Sequence, residues 1–191
     1  MTSASLSSLG RDASGKLPSP WQEFLAELDA MLTGPLELHC IGGFVFAHFY
    51  GLPRSTGDID YYTAVPANLN LDAAAGFDSP LHKKYGVWLH RVGVVTLPEN
   101  YESRLVEMAS GEFKLLKLLV PDSYDCILSK LERNSSKDRD DAEYLYRSHK
   151  LDTRVLRERY EKELCTIGPR ERHDQTLRLW IEIFEAPQRD F

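Results

Sequence analysis

The 191-residue sequence lacks long apolar runs, and it has no excess of positive charge. Its longest apolar stretch, from Cys40 to Leu52, contains glycines and His48 and is too short to cross a bilayer. We therefore expect no membrane segment. The net charge of −6 excludes a uniformly basic surface for nucleic acid, although it leaves room for a local basic patch.

Cysteines are also scarce, since Cys40, Cys126 and Cys165 are the three in the chain. Their number is odd and their spacing is wide, which argues against both a disulfide framework and a zinc knuckle. A reduced, cytoplasmic location is the simplest expectation. Four histidines show no metal-ligand spacing, and we expect each to be packed or hydrogen-bonded: His39, His48, His82 and His90.

The composition is typical of a globular protein, with 42% hydrophobic and 27% charged residues. Residues 1–18 are rich in Ser, Gly and Ala without an apolar core segment, so they do not resemble a secretory signal and we expect a disordered tail. The pattern that follows predicts an α+β fold. Its core is expected over 19–121, and a C-terminal helical section packed on that core over 122–191.

Periodicity and turn residues place the elements of this fold. Four β-rich stretches predict a mixed sheet flanked by helices: 36–41, 58–64, 87–96 and 113–120. The first helix is expected over 20–33, and it opens with a capping-box pattern at Ser19-Pro20-Trp21-Gln22. Further helices are expected over 44–50, 122–134 and 138–149, after Asp152 and after Gly168. Two stretches are less regular: 66–80 is a variable loop or weak helix, and 101–108 a short turn or helix.

Two carboxylates stand at the start of the second predicted strand. Asp58 and Asp60 are two positions apart, so they project from one face of a strand while Ile59 points into the core. An Asp-x-Asp pair alone is often a solvated loop edge. Aspartate is disfavoured in strands, however, and two on one face need a compensating partner. Mg²⁺, or Mn²⁺, is such a partner because it prefers carboxylate oxygens together with substrate phosphates.

A glycine pair precedes this strand. Gly42 and Gly43 follow the first predicted strand and allow a tight turn with close backbone approach to a ligand. Their amides open the next helix, a favourable position for phosphate. A simple strand-to-helix turn is the alternative interpretation of the pair.

Together these residues resemble the signature of polymerase-beta-like nucleotidyltransferases, a Gly-Gly or Gly-Ser turn followed after a short helix by Asp-x-Asp. More narrowly, Gly42-Gly43 through Arg54-Ser55-Thr56-Gly57-Asp58-Ile59-Asp60 resembles the Gly-Gly…Arg-x-Thr-x-Asp-x-Asp form of the abortive-infection (AbiEii-type) toxin and related bacterial proteins.

A second charged cluster lies between Lys130 and Asp141. One interpretation is a solvated helix-loop-helix corner with surface ion pairs. The cluster also resembles the later motifs of the toxin-like group, a Lys on a helix followed by Arg and then by Lys-Asp-x-x-Asp. The matching positions are Lys130, Arg133, Lys137, Asp138 and Asp141.

The resemblance implies that Lys130 contacts the triphosphate of a bound nucleotide. It implies one of three roles for Asp138 or Asp141: capping the next helix, positioning Lys130, or assisting proton abstraction. Helix capping by Asp138 is an equally open alternative.

The resemblance implies transfer of a nucleoside monophosphate from an NTP to an acceptor. Asp58 and Asp60 would bind the metal, and the expected nucleotide-binding residues are Gly42, Gly43, Arg54, Thr56 and Arg133. The acceptor is an RNA, a protein or a small molecule, and an antitoxin partner is implied if the protein is a toxin.

The alternative is a catalytically inactive member that binds a nucleotide or a partner. It is motivated by the strand over 87–96, where His90 stands in place of the third carboxylate that this fold usually carries and Glu112 is a weak substitute. Tyr61, Tyr62 and Trp88 could stack on a base, although strand aromatics are more often core or cross-strand partners.

Overall fold

The computed structural model describes residues 16–67, 69–164 and 169–187, and it confirms the α+β fold with a mixed sheet flanked by helices. The chain divides into two compact units. The first comprises the described residues up to Val94 together with Leu105–Val120, and the second comprises Val95–Arg104 and the described residues from Pro121 onward. The tail expected over 1–18 lies largely outside the described residues. Of the three that are described, Leu17 is buried.

The first unit is built on a five-stranded sheet of order β3-β2-β1-β5-β4. β1 pairs antiparallel with β2 and parallel with β5, β3 pairs parallel with β2, and β4 pairs antiparallel with β5. The strands are β1 (Leu36–Ile41), β2 (Asp58–Val65), β3 (Trp88–Arg91), β4 (Val106–Met108) and β5 (Leu116–Val120). The helices of this unit are α1 (Trp21–Met31), α2 (Gly42–His48), α3 (Leu71–Ala75) and α4 (Pro80–Tyr85).

Helix α1 is joined to the sheet by apolar packing and by one carboxylate. Its buried face, which includes Phe24 and Leu28, recurs at helical spacing. Asp29 accepts hydrogen bonds from the amides of Lys114, Leu115 and Leu116, at 2.9, 2.7 and 2.7 Å, and so caps the start of β5. Burial alone would raise the pKa of Asp29, but these three amides lower it.

The second unit is helical and contains α5 (Ser123–Leu128), α6 (Ser136–Ser148), α7 (Thr153–Arg159) and α8 (Arg170–Glu185). A 3₁₀ helix spans Tyr101–Arg104, and a π-helix over Tyr160–Leu164 continues α7. Arg104 and Arg159 both reach the fully buried carboxylate of Asp125, with the closest N–O distance 2.9 Å in each case. Two guanidinium groups thus compensate one charge that would otherwise be costly to bury.

Several predicted elements need correction. The stretch expected to be a turn or helix over 101–108 ends in the short strand β4. The stretch over 66–80, expected to be a variable loop or weak helix, contains the short helix α3 and the start of α4, which agrees with the helical alternative. The capping box expected at Ser19 is wrong, because Pro20 is the N-cap of α1 and no side chain caps it. The side chain of Gln22 instead accepts from the amide of Leu17 at 3.3 Å.

Predicted lengths also differ. The strand expected over 87–96 ends at Arg91, the one expected over 113–120 begins at Leu116, and the helix expected to reach residue 134 ends at Leu128. Among the described residues, no helix is both long and apolar enough to cross a membrane.

Candidate metal and phosphate site

The two aspartates of β2 occupy one face of the sheet, as their spacing predicts. Ile59 between them is fully buried, whereas Asp58 and Asp60 are half-buried. The Thr56 hydroxyl lies 3.2 Å from both the backbone oxygen and Oδ1 of Asp58. Since a hydroxyl donates only one hydrogen, it is shared between two acceptors that fix the start of β2 and the carboxylate together.

The glycine turn packs directly against these side chains. Gly42 has φ +73°, a left-handed conformation that strains other residues, and a Cβ built there would overlap Asp60 Oδ2 and lie 3.1 Å from Asp60 Cγ. A Cβ on Gly43 would lie 3.0 Å from Arg54 Nη2 and 3.1 Å from Thr56 Oγ1. The structure therefore brings together the first set of predicted site residues. Gly42 has no space for a side chain beside Asp60, and Gly43 packs closely against Arg54 and Thr56.

His90 completes a group of three potential metal ligands with the two aspartates. It is paired with Asp60 in the parallel register of β3 with β2, and its Nδ1 lies 2.8 Å from Asp60 Oδ1. One ligand atom from each of Asp58, Asp60 and His90 lies within 4.8 Å of the others. Ligands of a single ion with bonds of about 2.1 Å are at most about 4.2 Å apart, so small side-chain movements suffice. The donor set fits a divalent cation.

The other carboxylate considered from the sequence has a different setting. Glu112 Oε2 accepts a hydrogen bond of 3.4 Å from Gln22 Nε2. Among the described residues, the Asp58, Asp60 and His90 group does not include it.

The backbone beneath the site is irregular at one point. The pairing of β1 with β2 shifts register between His39 and Cys40, where the pairing skips Tyr62 of β2 as a β-bulge does. Cys40 is fully buried, and burial, followed by the charge of Asp60, raises the pKa of its thiol. Its location behind Asp60 makes it an inert core residue.

The second predicted cluster lies in the second unit, and three of its side chains, Lys130, Asp138 and Asp141, are buried, whereas that of Arg133 is 71% exposed. Lys130 Nζ contacts Asp138 Oδ1 at 3.2 Å and Asp141 Oδ2 at 2.8 Å. The three side chains are 7%, 0% and 4% exposed. Arg133 donates to Asp138 from Nη2 at 2.5 Å and from Nε at 2.7 Å. Two positive and two negative groups thus form one neutral network.

Asp138 also stabilises the start of α6. Ser135 is the N-cap, and it forms a capping box with Asp138 at the third helical position, so the prediction that Asp138 itself is the N-cap is wrong. Burial would raise the pKa of Asp138, but the hydrogen bonds from Arg133 and Ser135 and the charge of Lys130 hold it well below its ordinary value.

The protein family described as "Nucleotidyltransferase of unknown function (DUF6036)" matches residues 22–189, which is most of the chain. The chain belongs to this family. No curated protein and no solved structure matches. The membership confirms the nucleotidyltransferase resemblance at the level of the superfamily, and it implies an NTP substrate.

In this nucleotidyltransferase, the sequence analysis placed His90 in the strand beside Asp60 but did not identify it as a potential metal ligand. It judged each histidine by its spacing to other histidines and cysteines. Two spacings in the sequence could have indicated this role for His90. Asp58 and Asp60 are two residues apart in β2, as Trp88 and His90 are in β3, and paired residues of parallel strands share a face.

Gly42 offers a direct test of the contact between turn and carboxylate. Gly86 has nearly the same φ, +74° against +73°, yet a Cβ there meets nothing within 4 Å. We expect Gly86→Ala to cost about 1–2 kcal/mol of unfolding free energy through backbone strain alone. Gly42→Ala should cost about 1–3 kcal/mol more through overpacking.

Urea unfolding of the two variants measures this difference. In an Asp60→Ala background, which removes Oδ2, the excess cost of Gly42→Ala should shrink. Equal costs for the two alanine variants in the wild-type background would contradict the packing of the turn on Asp60.

Proposed function

We propose that this protein is a metal-dependent enzyme that transfers a nucleoside monophosphate from an NTP to an acceptor hydroxyl. The acceptor oxygen attacks the α-phosphorus and its hydroxyl proton is released to water, while the bond from that phosphorus to the β-phosphate oxygen breaks and pyrophosphate leaves. The observation that carries the proposal is the convergence of Asp58, Asp60 and His90 beside the tightly packed turn at Gly42.

The roles follow from the chemistry of each group. Asp58 and Asp60 would hold the divalent ion, Mg²⁺ or Mn²⁺, which when bound neutralises phosphate charge and favours ionisation of the acceptor hydroxyl. Gly42 and Gly43 permit the phosphate chain to approach the backbone closely. The guanidinium of Arg54, next to Gly43, would add positive charge to that chain, while Thr56 holds Asp58 in place.

The Lys130 cluster receives a different role in this proposal. Its catalytic and nucleotide-binding assignments come from the resemblance, whereas its contacts support a structural role within the second unit. The Asp138 carboxylate accepts five hydrogen bonds, from Lys130, Arg133 and Ser135. A carboxylate held in this way at a lowered pKa is a poor general base.

The finer assignment to the abortive-infection toxin type rests on the motif from Gly42 to Asp60. It would make the protein a cytoplasmic toxin with an antitoxin partner. Expression in a bacterial host should then arrest growth, and Asp60→Asn should relieve the arrest. Growth that is equal for both forms would overturn the toxin assignment without affecting nucleotidyl transfer.

A second candidate function is nucleotide or partner binding without catalysis. It is favoured by the exposed imidazole of His90, 58% exposed, at the position where a third carboxylate was expected.

One assay separates the two functions. The protein is incubated with α-³²P-labelled NTPs, Mg²⁺ or Mn²⁺, and either total RNA or a protein extract. Label retained in an acceptor supports the enzyme. Absence of label, with thermal stabilisation that needs both NTP and metal, supports the binding module. Absence of both results would overturn both functions.

His90 leads to a prediction about metal preference. Imidazole is a better ligand for Mn²⁺ than for Mg²⁺, which prefers oxygen donors. We expect calorimetric titration to show tighter binding of Mn²⁺, and His90→Asp to shift the preference toward Mg²⁺. Loss of about 10–100-fold in affinity for both ions alike in His90→Ala would instead mean that His90 only orients Asp60 through their hydrogen bond. The line shape of bound Mn²⁺ in electron paramagnetic resonance provides a second readout of nitrogen ligation.

A further inference from the structure

Three aromatic side chains form a small surface beside the candidate metal site. The Phe77 and Trp88 rings are 5.2 Å apart at an interplanar angle of 80°, and His82 lies 4.7 Å from the first and 4.8 Å from the second. We call these residues the aromatic surface. Phe77 is 66% exposed, which is unusual for a large apolar side chain in contact with two other rings.

The register of the sheet places this surface next to the aspartates. Trp88 pairs with Asp58 as His90 pairs with Asp60, so the four side chains share one face of β2 and β3. A Cβ on Gly57 would lie 3.7 Å from Trp88 Cη2 and Cζ3, which shows that the indole ring lies against the chain just before Asp58. The aromatic surface and the metal ligands are therefore continuous.

Packing alone explains two of the three rings. His82 belongs to α4 and accepts the amide of Asp78 at 2.9 Å, and its contact with Trp88 joins α4 to the sheet. Phe77 precedes α4 and is mostly in solvent, so burial of its ring contributes little to the fold. Its exposed face is available to a planar ligand.

The position of the aromatic surface relative to the glycine turn indicates which substrate it would bind. The glycine turn follows Ile41, which pairs with Asp60 on the β1 side, whereas Trp88 lies on the opposite, β3 side of β2. In-line phosphoryl transfer places the leaving pyrophosphate and the attacking oxygen on opposite sides of the α-phosphorus. If the phosphates occupy the glycine turn, the acceptor enters from the β3 side.

We propose that the terminal base of a single-stranded nucleic acid stacks on the exposed face of Phe77 and touches the nearly perpendicular Trp88 ring with its edge, and that this strand end is the acceptor. This inference rests on the proposed nucleotidyl transfer. Every base has a π-face, so stacking on aromatic side chains binds single strands with little sequence preference. A contact limited to one or two terminal nucleotides also fits the net charge of −6, which excludes a uniformly basic surface along a nucleic-acid strand.

Intrinsic fluorescence tests the stacking directly. Of the three tryptophans, Trp21 and Trp180 are 4% and 0% exposed, while Trp88 is half-buried, so quenching by a base reports on Trp88. We expect a single-stranded RNA hexamer to quench the fluorescence and a hexamer with abasic terminal nucleotides to bind more weakly. Phe77→Ala should weaken binding of the intact hexamer by about 5–150-fold, the range set by the loss of one base stack.

The matched control is Met31→Ala, which also removes an exposed apolar side chain, 53% exposed, from the same unit. It should leave hexamer binding unchanged. Trp88→Phe, which retains a ring, should preserve binding as measured by fluorescence anisotropy of a labelled hexamer. Unchanged hexamer affinity in Phe77→Ala would overturn the proposal, as would equal binding of intact and abasic strands.

Two further outcomes separate this proposal from the proposed function. If Phe77→Ala lowers affinity for an NTP in the presence of Mn²⁺ and not for the hexamer, the surface holds the incoming base and the acceptor assignment is wrong. If the hexamer binds through Phe77 but no label is ever transferred to it, the stacking stands and nucleotidyl transfer to this strand fails.

Discussion

Replacing Asp58 or Asp60 by asparagine is expected to reduce nucleotidyl transfer by at least about 10²–10³-fold, the loss typical of removing one group that stabilises transition-state charge. Asparagine keeps the shape of each side chain but removes the negative charge that binds the divalent ion. The packing of Gly42 on Asp60 and the hydrogen bond of Thr56 to Asp58 both tolerate an amide. The loss should therefore appear in activity and not in folding.

The measurement is label transfer under single-turnover conditions, with thermal unfolding recorded with and without Mn²⁺. The wild-type protein should gain stability from the ion and both variants should lose that gain. Asp72→Asn, on the exposed side of α3 in the same unit, is the matched control and should behave as wild type. Full transfer activity in either site variant would exclude the two-aspartate site as the catalytic centre.

The site itself could be predicted largely from the sequence because its members are close along the chain. Residues two positions apart on a strand share a face, so Asp58 and Asp60 lie on one face and Ile59 on the other, as expected. A strand, a glycine pair and a second strand form one antiparallel unit, which limits where the turn can lie. The sequence could not show that Gly42 has no space for a side chain. That fact depends on the register of Ile41 with Asp60 across the pair.

Contacts between distant elements were harder to predict. β3 joins β2 after more than twenty intervening residues, so the pairing of His90 with Asp60 needed a register that periodicity does not provide. Phe77 belongs to a stretch with no apolar pattern, and its proximity to Trp88 comes from the fold of α3 and α4. The three-residue strand β4 is too short for alternation to distinguish it from a turn.

The burial of the charged cluster from Lys130 to Asp141 was also not predictable from the sequence. Charge density along a sequence is typical of solvated surface, and the solvated interpretation followed from that rule. The structure pairs the charges so completely that Asp138 is fully buried and Lys130 is only 7% exposed. Lys130, Asp138 and Asp141 can be buried because they compensate one another and because Arg133, which is itself 71% exposed, adds positive charge beside Asp138.

Lys130→Met is accordingly expected to destabilise the second unit by about 3–5 kcal/mol, the cost of leaving a buried charge without its partner. Methionine fills a similar volume but leaves Asp141, which Lys130 Nζ contacts at 2.8 Å, without that charge. Urea unfolding followed by circular dichroism measures the loss. Lys137→Met, at an exposed position one residue before Asp138, is the matched control and should change the free energy by less than about 0.5 kcal/mol.

The pH dependence separates lost charge pairing from lost packing. Because the folded pKa of Asp138 is lowered below its unfolded value of 3.8, its stabilising contribution is fully present above that pH and is lost as pH falls below it. The gap between wild type and Lys130→Met should therefore be largest near neutral pH and narrow in acid.

A second substitution distinguishes the two causes at neutral pH. Adding Asp141→Leu should restore much of the stability, since it removes the carboxylate that loses its contact with Lys130, and Asp138 keeps Arg133. A gap that is constant with pH and is not reduced by the second substitution would mean that Lys130 acts through packing of its aliphatic stem. A variant with wild-type stability and no nucleotidyl transfer would return Lys130 to the catalytic role that its resemblance implies.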